Sequence, residues 1–197
     1  MTDGSGSWGS GVEAAAWFRD WLAERHHDAE LVTPETVAAT LRAGIRELPP
    51  AISNDLYHWS FSVIAVIADE FMIQLGACGG LAAVAVSGLR VEPLITPTRA
   101  IDELIAQGHV TPVDAERHKF ANLLSGPFFG VDGSDQMRWI SPVAKADYSL
   151  IAIGESSMPR YLSTRGQTQF PSDPIVLRDS VEAFSGRCAP TAIITLP

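Results

Sequence analysis

The start of the chain carries an acidic residue in a setting suited to holding a ligand. The segment TDGSGSWGSG, residues 2–11, sets Asp3 among four glycines and three serines. This composition predicts a tight turn. The Asp3 carboxylate could bind a ligand, or it could form hydrogen bonds only with its own backbone, as in an Asx-type turn. From these residues alone, both interpretations stay open.

Cysteine and histidine supply the other reactive groups. Cys78 and Cys188 do not form a CxxC pair, and both are predicted to be buried packing residues. A nucleophilic Cys78 in the glycine turn GACGG is the weaker alternative. The five histidines show neither HxxxH nor HxH spacing, so the sequence predicts no histidine-based transition-metal site.

The composition limits the class of protein. The 197 residues are 46% hydrophobic and 19% charged, which predicts a single domain over 1–197 with a substantial core. A net charge of −9 argues against binding to a nucleic-acid backbone. The chain shows no apolar run long enough to span a membrane and no basic segment leading into an apolar one. We therefore expect no membrane association and a cytoplasmic location.

Hydrophobic periodicity predicts the helices that must position these residues. Helices are expected at about 11–25 and 34–48, paired antiparallel and closed by Pro49–Pro50. Four of their residues are expected to be buried: Trp17, Trp21, Val37 and Leu41. Other helical segments are expected at 97–108, 111–118 and 171–184.

Short runs rich in β-branched residues predict the strands. The runs FSVIAVI, FMIQLG, LAAVAVSG and LRVEPL, within 61–94, are expected to form one antiparallel meander. DYSLIAI (147–153) and TAIITL (191–196) predict two more strands. Helices followed by strands, and then both again, indicate an α+β fold.

Five segments occur in the order found in a known enzyme family. TDGSGSWGSG is similar to the turn D-G-M-G-G-H-x-x-G, and IQLGACGG (73–80) stands where H-V-G-D-S-R is expected. ADYSLIAIGES (146–156) and RCAPTAIITL (187–196) stand where G-D-x-(L/F)-L-L-x-S-D-G and D-N-x-T-x-(I/V)-(I/V) belong. The most specific match is residues 94–130, where eight positions agree: Leu104, Gly108, Thr111, Pro112, Ala115, His118, Asn122 and Leu124. The chain thus resembles the bacterial metal-dependent protein phosphatases of the 2C type (PPM-type). The resemblance implies an αββα sandwich, two packed antiparallel β-sheets flanked by helices.

The resemblance also implies a metal-dependent chemistry, for which this chain keeps few ligands. The family hydrolyses phosphate monoesters with two divalent cations, and Mg²⁺ or Mn²⁺ needs several converging carboxylates. Asp3 and the carbonyl of Gly4 keep their places, and Glu155 is a candidate replacement ligand. The positions expected to hold the other acidic or amide ligands are degenerate, being Ala77, Gly154, Cys188 and Ala189. The resemblance therefore implies no metal cofactor, or Mg²⁺ or Mn²⁺ if the protein is active.

Three functions are compatible with these residues. The favoured hypothesis is a catalytically impaired pseudophosphatase that binds a protein partner, either a phosphoprotein or a component of a kinase pathway. The alternative is an active, divergent serine/threonine phosphatase using Asp3, Glu155 and either Asp132 or Asp135. The third is a soluble α+β module that shares only ancestry with the family.

The first strands of the family's fold are expected to be missing from this chain. The resemblance places two strands before Met1, which itself falls on the valine that precedes the family's aspartate–glycine turn. The corresponding hypothesis is that upstream DNA, in frame, encodes these strands.

Overall fold

The computed structural model describes residues 2–5, 10–25, 33–53, 60–88, 90–115, 117–121, 137–155, 158, 175 and 192–196. The strands within them are β1 (Thr2–Ser5), β2 (Ser60–Ala68), β3 (Met72–Cys78), β4 (Leu81–Ser87), β5 (Arg90–Ile95), β6 (Arg138–Trp139), β7 (Val143–Ala144), β8 (Leu150–Glu155) and β9 (Ala192–Thr195). The helices are α1 (Ser10–Arg25), α2 (Pro34–Arg46), α3 (Pro50–Ser53), α4 (Ala100–Ala106) and α5 (Pro112–Ala115), with a 3₁₀ turn at Lys145–Asp147.

The strands form two antiparallel sheets that pack face to face. The first sheet has the order β1-β2-β3-β6, and β7 also pairs with β3. The second has the order β5-β4-β8-β9. One apolar cluster combines residues of both sheets, among them Ile64 and Leu75 from the first and Ala83 and Ile151 from the second. With the helices that flank the sheets, this confirms the predicted fold class.

Strand β4 is the centre of the second sheet and is covered on both faces. Its first six residues are buried. Ala83 and Ala85 face the first sheet, whereas Ala82 and Val84 belong to a separate cluster with Met158 on the opposite face. A continuous apolar run is the pattern expected of a strand buried on both sides.

The prediction of one four-stranded meander is wrong. Strands β2 and β3 belong to the first sheet, whereas β4 and β5 belong to the second. The chain changes sheets at Gly79–Gly80, where Gly79 has a φ of 98°. Residues with a side chain rarely adopt that backbone conformation, so glycine allows the chain to change direction here. The four strand segments themselves are confirmed.

The predicted turn over 2–11 is wrong for its first part. Thr2–Ser5 is an extended strand, with Asp3 opposite Ser62 and Gly4 opposite Phe61 of β2. Backbone pairing with β2 outweighs the weak local preference of glycine and serine for turns. Residues 6–9 lie outside the described part of the chain, and α1 begins at Ser10.

The two long helices form as predicted, but they do not run antiparallel. Trp21, Val37 and Leu41 are buried as expected, and Trp17 is half-buried against Trp21. Arg25, the last residue of α1, forms a 2.8 Å ion pair with Glu47 just after α2. The C-terminal ends of the helices therefore meet. Eight residues, 26–33, connect the two helices, which is more than a tight turn between antiparallel helices needs.

Helix α4 ends with the geometry that its glycine predicts. Gly108 has a φ of 74°, its N–H donates to the carbonyl of Ile105, and the N–H of His109 donates to the carbonyl of Leu104. These two bonds form a Schellman motif. The predicted helix at 171–184 lies outside the described residues apart from Ile175. No helix in the described ranges is long and apolar enough to cross a membrane.

Candidate functional site

The segments singled out in the sequence meet at one end of the sandwich. We call Gly79–Gly80, where the chain leaves β3 and enters β4, the linker. We call this end of the sandwich the linker end. In the first sheet, Val63 lies opposite both Thr2 and Cys78, so β1 reaches this end. Asp3 therefore occupies a register position beside the linker, opposite Ser62.

The second sheet brings its own motif to the same end. Glu155 lies opposite Leu81, the first residue of β4, and Gly154 lies opposite Ala82. Ala192, the first residue of β9, pairs with Ile153 of β8. Residues 187–191, which include Cys188 and Ala189, lead directly into this strand but lie outside the described part. The antiparallel ladders thus gather distant sequence segments at the linker end.

Ser62 fixes the linker, and the sequence analysis missed it. Its side chain is only 5% exposed, and its hydroxyl accepts a hydrogen bond from the backbone N–H of Gly80 at 2.8 Å. A Cβ at Gly79 would lie 2.5 Å from the Ser62 Oγ atom. The arginine of the D-S-R motif would fall on Gly79, and this packing leaves no room there for a side chain. The only sequence signal for Ser62 was a polar residue within an apolar strand.

Arg138 is the second residue that the sequence analysis missed. It stands opposite Ala77 in the β3–β6 ladder, and its Nη2 atom donates to the carbonyl oxygen of Thr96 at 2.9 Å. Thr96 follows Ile95, the last residue of β5. A guanidinium from the first sheet therefore reaches the second sheet at the linker end. No short motif marks it, because its position depends on pairing between residues that are far apart in sequence.

Comparison with solved structures identifies the architecture. Stp1 from Staphylococcus aureus, a serine/threonine phosphatase, has a TM-score of 0.71 at 16% identity, covering 100% of this chain and 82% of its own. The S. agalactiae serine/threonine phosphatase has a TM-score of 0.74 at 13% identity, covering 98% and 85%. The catalytic domain of the phosphatase PstP, solved with two manganese ions, has a TM-score of 0.63 at 12% identity, covering 99% and 85%.

The chain has the fold of the bacterial 2C-type serine/threonine phosphatases. At these identities the likeness shows the fold alone. No model of a protein family matches the sequence, and no curated protein matches it. The 2C-type phosphatase fold explains why the quoted segments converge, since their order along the chain and their register in the sheets place them at one end.

The ligand positions of the phosphatase fold can be followed through the described residues. Asp3 and Glu155 carry carboxylates, whereas Ala77 and Gly154 are buried and offer no oxygen from a side chain. No group of three or more histidine, cysteine, aspartate or glutamate side chains suited to a metal ion occurs among the residues that the structure describes. Among the described ligand positions, Asp3 and Glu155 are therefore the two whose side chains carry hard oxygen donors. Asp132 and Asp135 lie outside the described ranges.

Cys78 is placed for packing rather than for chemistry. It is 3% exposed and belongs to the cluster that includes Phe18 of α1 and Val63 of β2. Desolvation by burial raises the pKa of its thiol to about 11. Because the thiolate is the nucleophilic form, this environment suppresses reactivity near neutral pH. The structure agrees with the packing interpretation of this residue.

Proposed function

We propose that this protein uses the phosphatase fold for recognition rather than hydrolysis, and that it binds a phosphoprotein or a component of a kinase pathway. One observation carries the proposal. Gly154 is buried in β8 opposite Ala82, at the register position where the resemblance expects an aspartate that binds metal. Glycine at this position contributes no ligand from a side chain.

A second position that the resemblance expects to bind metal has also lost its aspartate. Ala77, where the resemblance expects another aspartate, is 7% exposed and packs with Ile64 and Leu75 between the sheets. A site for two divalent cations needs several oxygens that converge, and each missing carboxylate weakens binding against competition from water. These residues support a linker end without the two metal ions that hydrolysis requires.

An active, divergent phosphatase is the second candidate, and a specific observation favours it. Asp3 and Glu155 flank the linker from the two sheets, at positions opposite Ser62 and Leu81. The PstP catalytic domain, which shares the fold, was solved with two manganese ions. Two carboxylates at one end could hold a single weakly bound Mg²⁺ or Mn²⁺.

Metal titration and a turnover assay distinguish these candidates. The 197-residue chain is titrated with Mn²⁺ by calorimetry and assayed with para-nitrophenyl phosphate in excess Mn²⁺. We expect no tight binding and no turnover above the rate with buffer alone. Turnover that is lost in Asp3→Ala or Glu155→Gln would contradict the proposed function. Asp147→Ala, an exposed carboxylate next to the start of β8 at the opposite end, is the matched control.

The proposal includes a cytoplasmic location. The two cysteines lie outside any CxxC pair, a pattern compatible with a reducing compartment. Fractionation of cells that produce the protein, with immunodetection in each fraction, tests this location directly.

A further inference from the structure

Strand β2 has an open edge along its last residues, Ala65–Ala68. On one side, β2 pairs with β3 as far as Ala68, which lies opposite Ile73. On the other side, its pairing with β1 reaches only Val63, which lies opposite Thr2. Within the ranges that the structure describes, no strand continues β1 along Ala65–Ala68. The backbone N–H and C=O groups on this side of the segment are therefore available to another strand.

The side chains of this segment are apolar, and part of them is exposed to solvent. Val66 is 37% exposed and Ala68 is also exposed, whereas Ile64, on the same face of β2, is buried between the sheets. Ala65 and Ile67, on the opposite face, are half-buried against the apolar cluster that includes residues of α1. Removing such surface from water is favourable, so a strand that covers this edge would be stabilised by apolar contacts.

Strand β5 shows how an edge is protected elsewhere in this chain. It is the outer strand in the order β5-β4-β8-β9, and it carries Arg90, Glu92 and Pro93. Charged side chains on an edge oppose the approach of another strand, and proline lacks the N–H that pairing requires. Ala65–Ala68 contains no charged residue and no proline. An edge without this protection is suited to complexes in which a strand from another chain extends the sheet.

The turn after β2 favours an antiparallel arrangement of two such edges. Asp69 and Glu70 are exposed at this turn, and the Asp69 carboxylate accepts hydrogen bonds from the N–H groups of Phe71 and Met72 at 2.8 and 2.7 Å. In a parallel pair, the acidic turns of both chains would lie side by side and repel each other. In an antiparallel pair, the two turns lie at opposite ends of the interface.

The segment is also complementary to itself in antiparallel pairing. When the pairing is centred on Ile67, this residue meets the same residue of the second copy, and Val66 lies opposite Ala68 of the second copy. A larger side chain then faces a smaller one on the face where both are exposed. Apolar and β-branched pairs directly opposite each other stabilise a sheet. A two-fold axis at Ile67 repeats the pair of Val66 with Ala68, as a closed dimer requires.

We propose that two copies of this chain form a dimer by pairing Ala65–Ala68 antiparallel, which joins the first sheets of both copies into one continuous sheet. The partner is a second copy because the edge matches itself in side-chain size and, when antiparallel, in charge. The inference does not rest on the proposed function, since it uses neither Asp3 nor Glu155.

Two variants test the edge without changing a buried residue. Ala68→Lys places a charge on the exposed edge, opposite Val66 of the second copy, where pairing would remove water from the ammonium group. Ala39→Lys makes the same substitution at an exposed alanine of α2 and is the matched control. Thermal unfolding of each variant shows whether the fold is retained.

Sedimentation equilibrium of the 197-residue chain measures association over a wide range of protein concentration. We expect the wild type and Ala39→Lys to dimerise alike, and Ala68→Lys to raise the dissociation constant of the dimer by about tenfold or more. The inference is overturned if the wild type stays monomeric throughout, if it assembles beyond a dimer, or if Ala68→Lys dimerises as the wild type does.

Amide hydrogen exchange of the wild type locates the interface without any substitution. Exchange within Ala65–Ala68 should slow as the protein concentration rises and the dimer forms. Protection that is complete in the monomer would show that another segment of the same chain covers this edge, and would overturn the inference. Exchange that stays fast in the dimer would place the interface elsewhere and overturn it as well.

Discussion

The hydroxyl of Ser62 accepts a hydrogen bond from the backbone N–H of Gly80 at 2.8 Å, and this bond ties the first sheet to the link that enters the second. Removing the acceptor leaves the N–H of a partly buried linker without its partner. We expect Ser62→Ala to lower the free energy of unfolding by about 1 to 2 kcal/mol. Urea denaturation measures the loss. Ser87→Ala, at an exposed position in β4, is the control and should change little.

Gly79 and Gly88 form a matched pair for testing the linker. Both have a positive φ, 98° and 57°, but a Cβ at Gly79 would lie 2.8 Å from the Cα of Ser62, whereas a Cβ at Gly88 meets nothing within 4 Å. Gly88→Ala should cost only backbone strain, about 1 to 2 kcal/mol. Gly79→Ala should cost about 2 kcal/mol more, because the backbone of β2 must move. Equal unfolding free energies for the two variants would show that the linker is not tightly packed.

Gly76 allows Trp139 to lie against β3. A Cβ at Gly76 would lie 2.6 Å from the Cδ2 and Cε2 atoms of the indole ring. Gly76→Ala should therefore displace Trp139 and destabilise the fold by about 1 to 3 kcal/mol. In a Trp139→Ala background the same change should cost much less, which a double-mutant cycle of unfolding free energies detects. If Gly76→Ala lowers the free energy of unfolding equally in both backgrounds, contact with Trp139 does not explain why glycine occurs at position 76.

The thiol of Cys78 should be protected from reagents in the folded protein. Burial raises its pKa to about 11, so at pH 8 the folded state holds less thiolate than an exposed cysteine would. In a Cys188→Ala background, we expect Cys78 to react slowly with Ellman's reagent when folded and rapidly in denaturant. Fast reaction in the native state would show that the thiol is accessible.

The same pKa shift predicts how stability depends on pH. The folded state binds the thiol proton more tightly than the unfolded state, whose pKa is close to the ordinary value of 9.0. The contribution of Cys78 is therefore fully present below pH 9 and is lost as the pH rises toward 11. Denaturation midpoints between pH 8 and 11 should fall less steeply in Cys78→Ala than in the wild type.

Local patterns predicted most of the elements. The apolar stripe of α2 with Thr33–Pro34 at its start, the β-branched runs of β2 to β4 and the closing Gly108 each depend on neighbours within a few residues. Patterns of this range are sufficient to locate a helix or strand. The order of the motifs along the chain also led to the correct fold class.

Local sequence patterns could not predict contacts between residues that are far apart in the chain. The sheet change at Gly79–Gly80 depends on which partner β4 finds, and the meeting of Arg25 with Glu47 depends on the path between two helices. Ser62 and Arg138 owe their positions to register with strands elsewhere in the chain. No local pattern encodes that register, so the sequence indicated the motif positions but not the residues beside them.

The burial of β4 has a consequence for the speed of folding. Its pairing with β8 joins Leu81 to Glu155, so the chain must close a loop of roughly 70 residues before the central ladder of the second sheet can form. Until then, the uncharged segment LAAVAVS is left with a free edge that a second molecule can pair with. Refolding yield should therefore fall as protein concentration rises, because association between chains competes with closure of this loop.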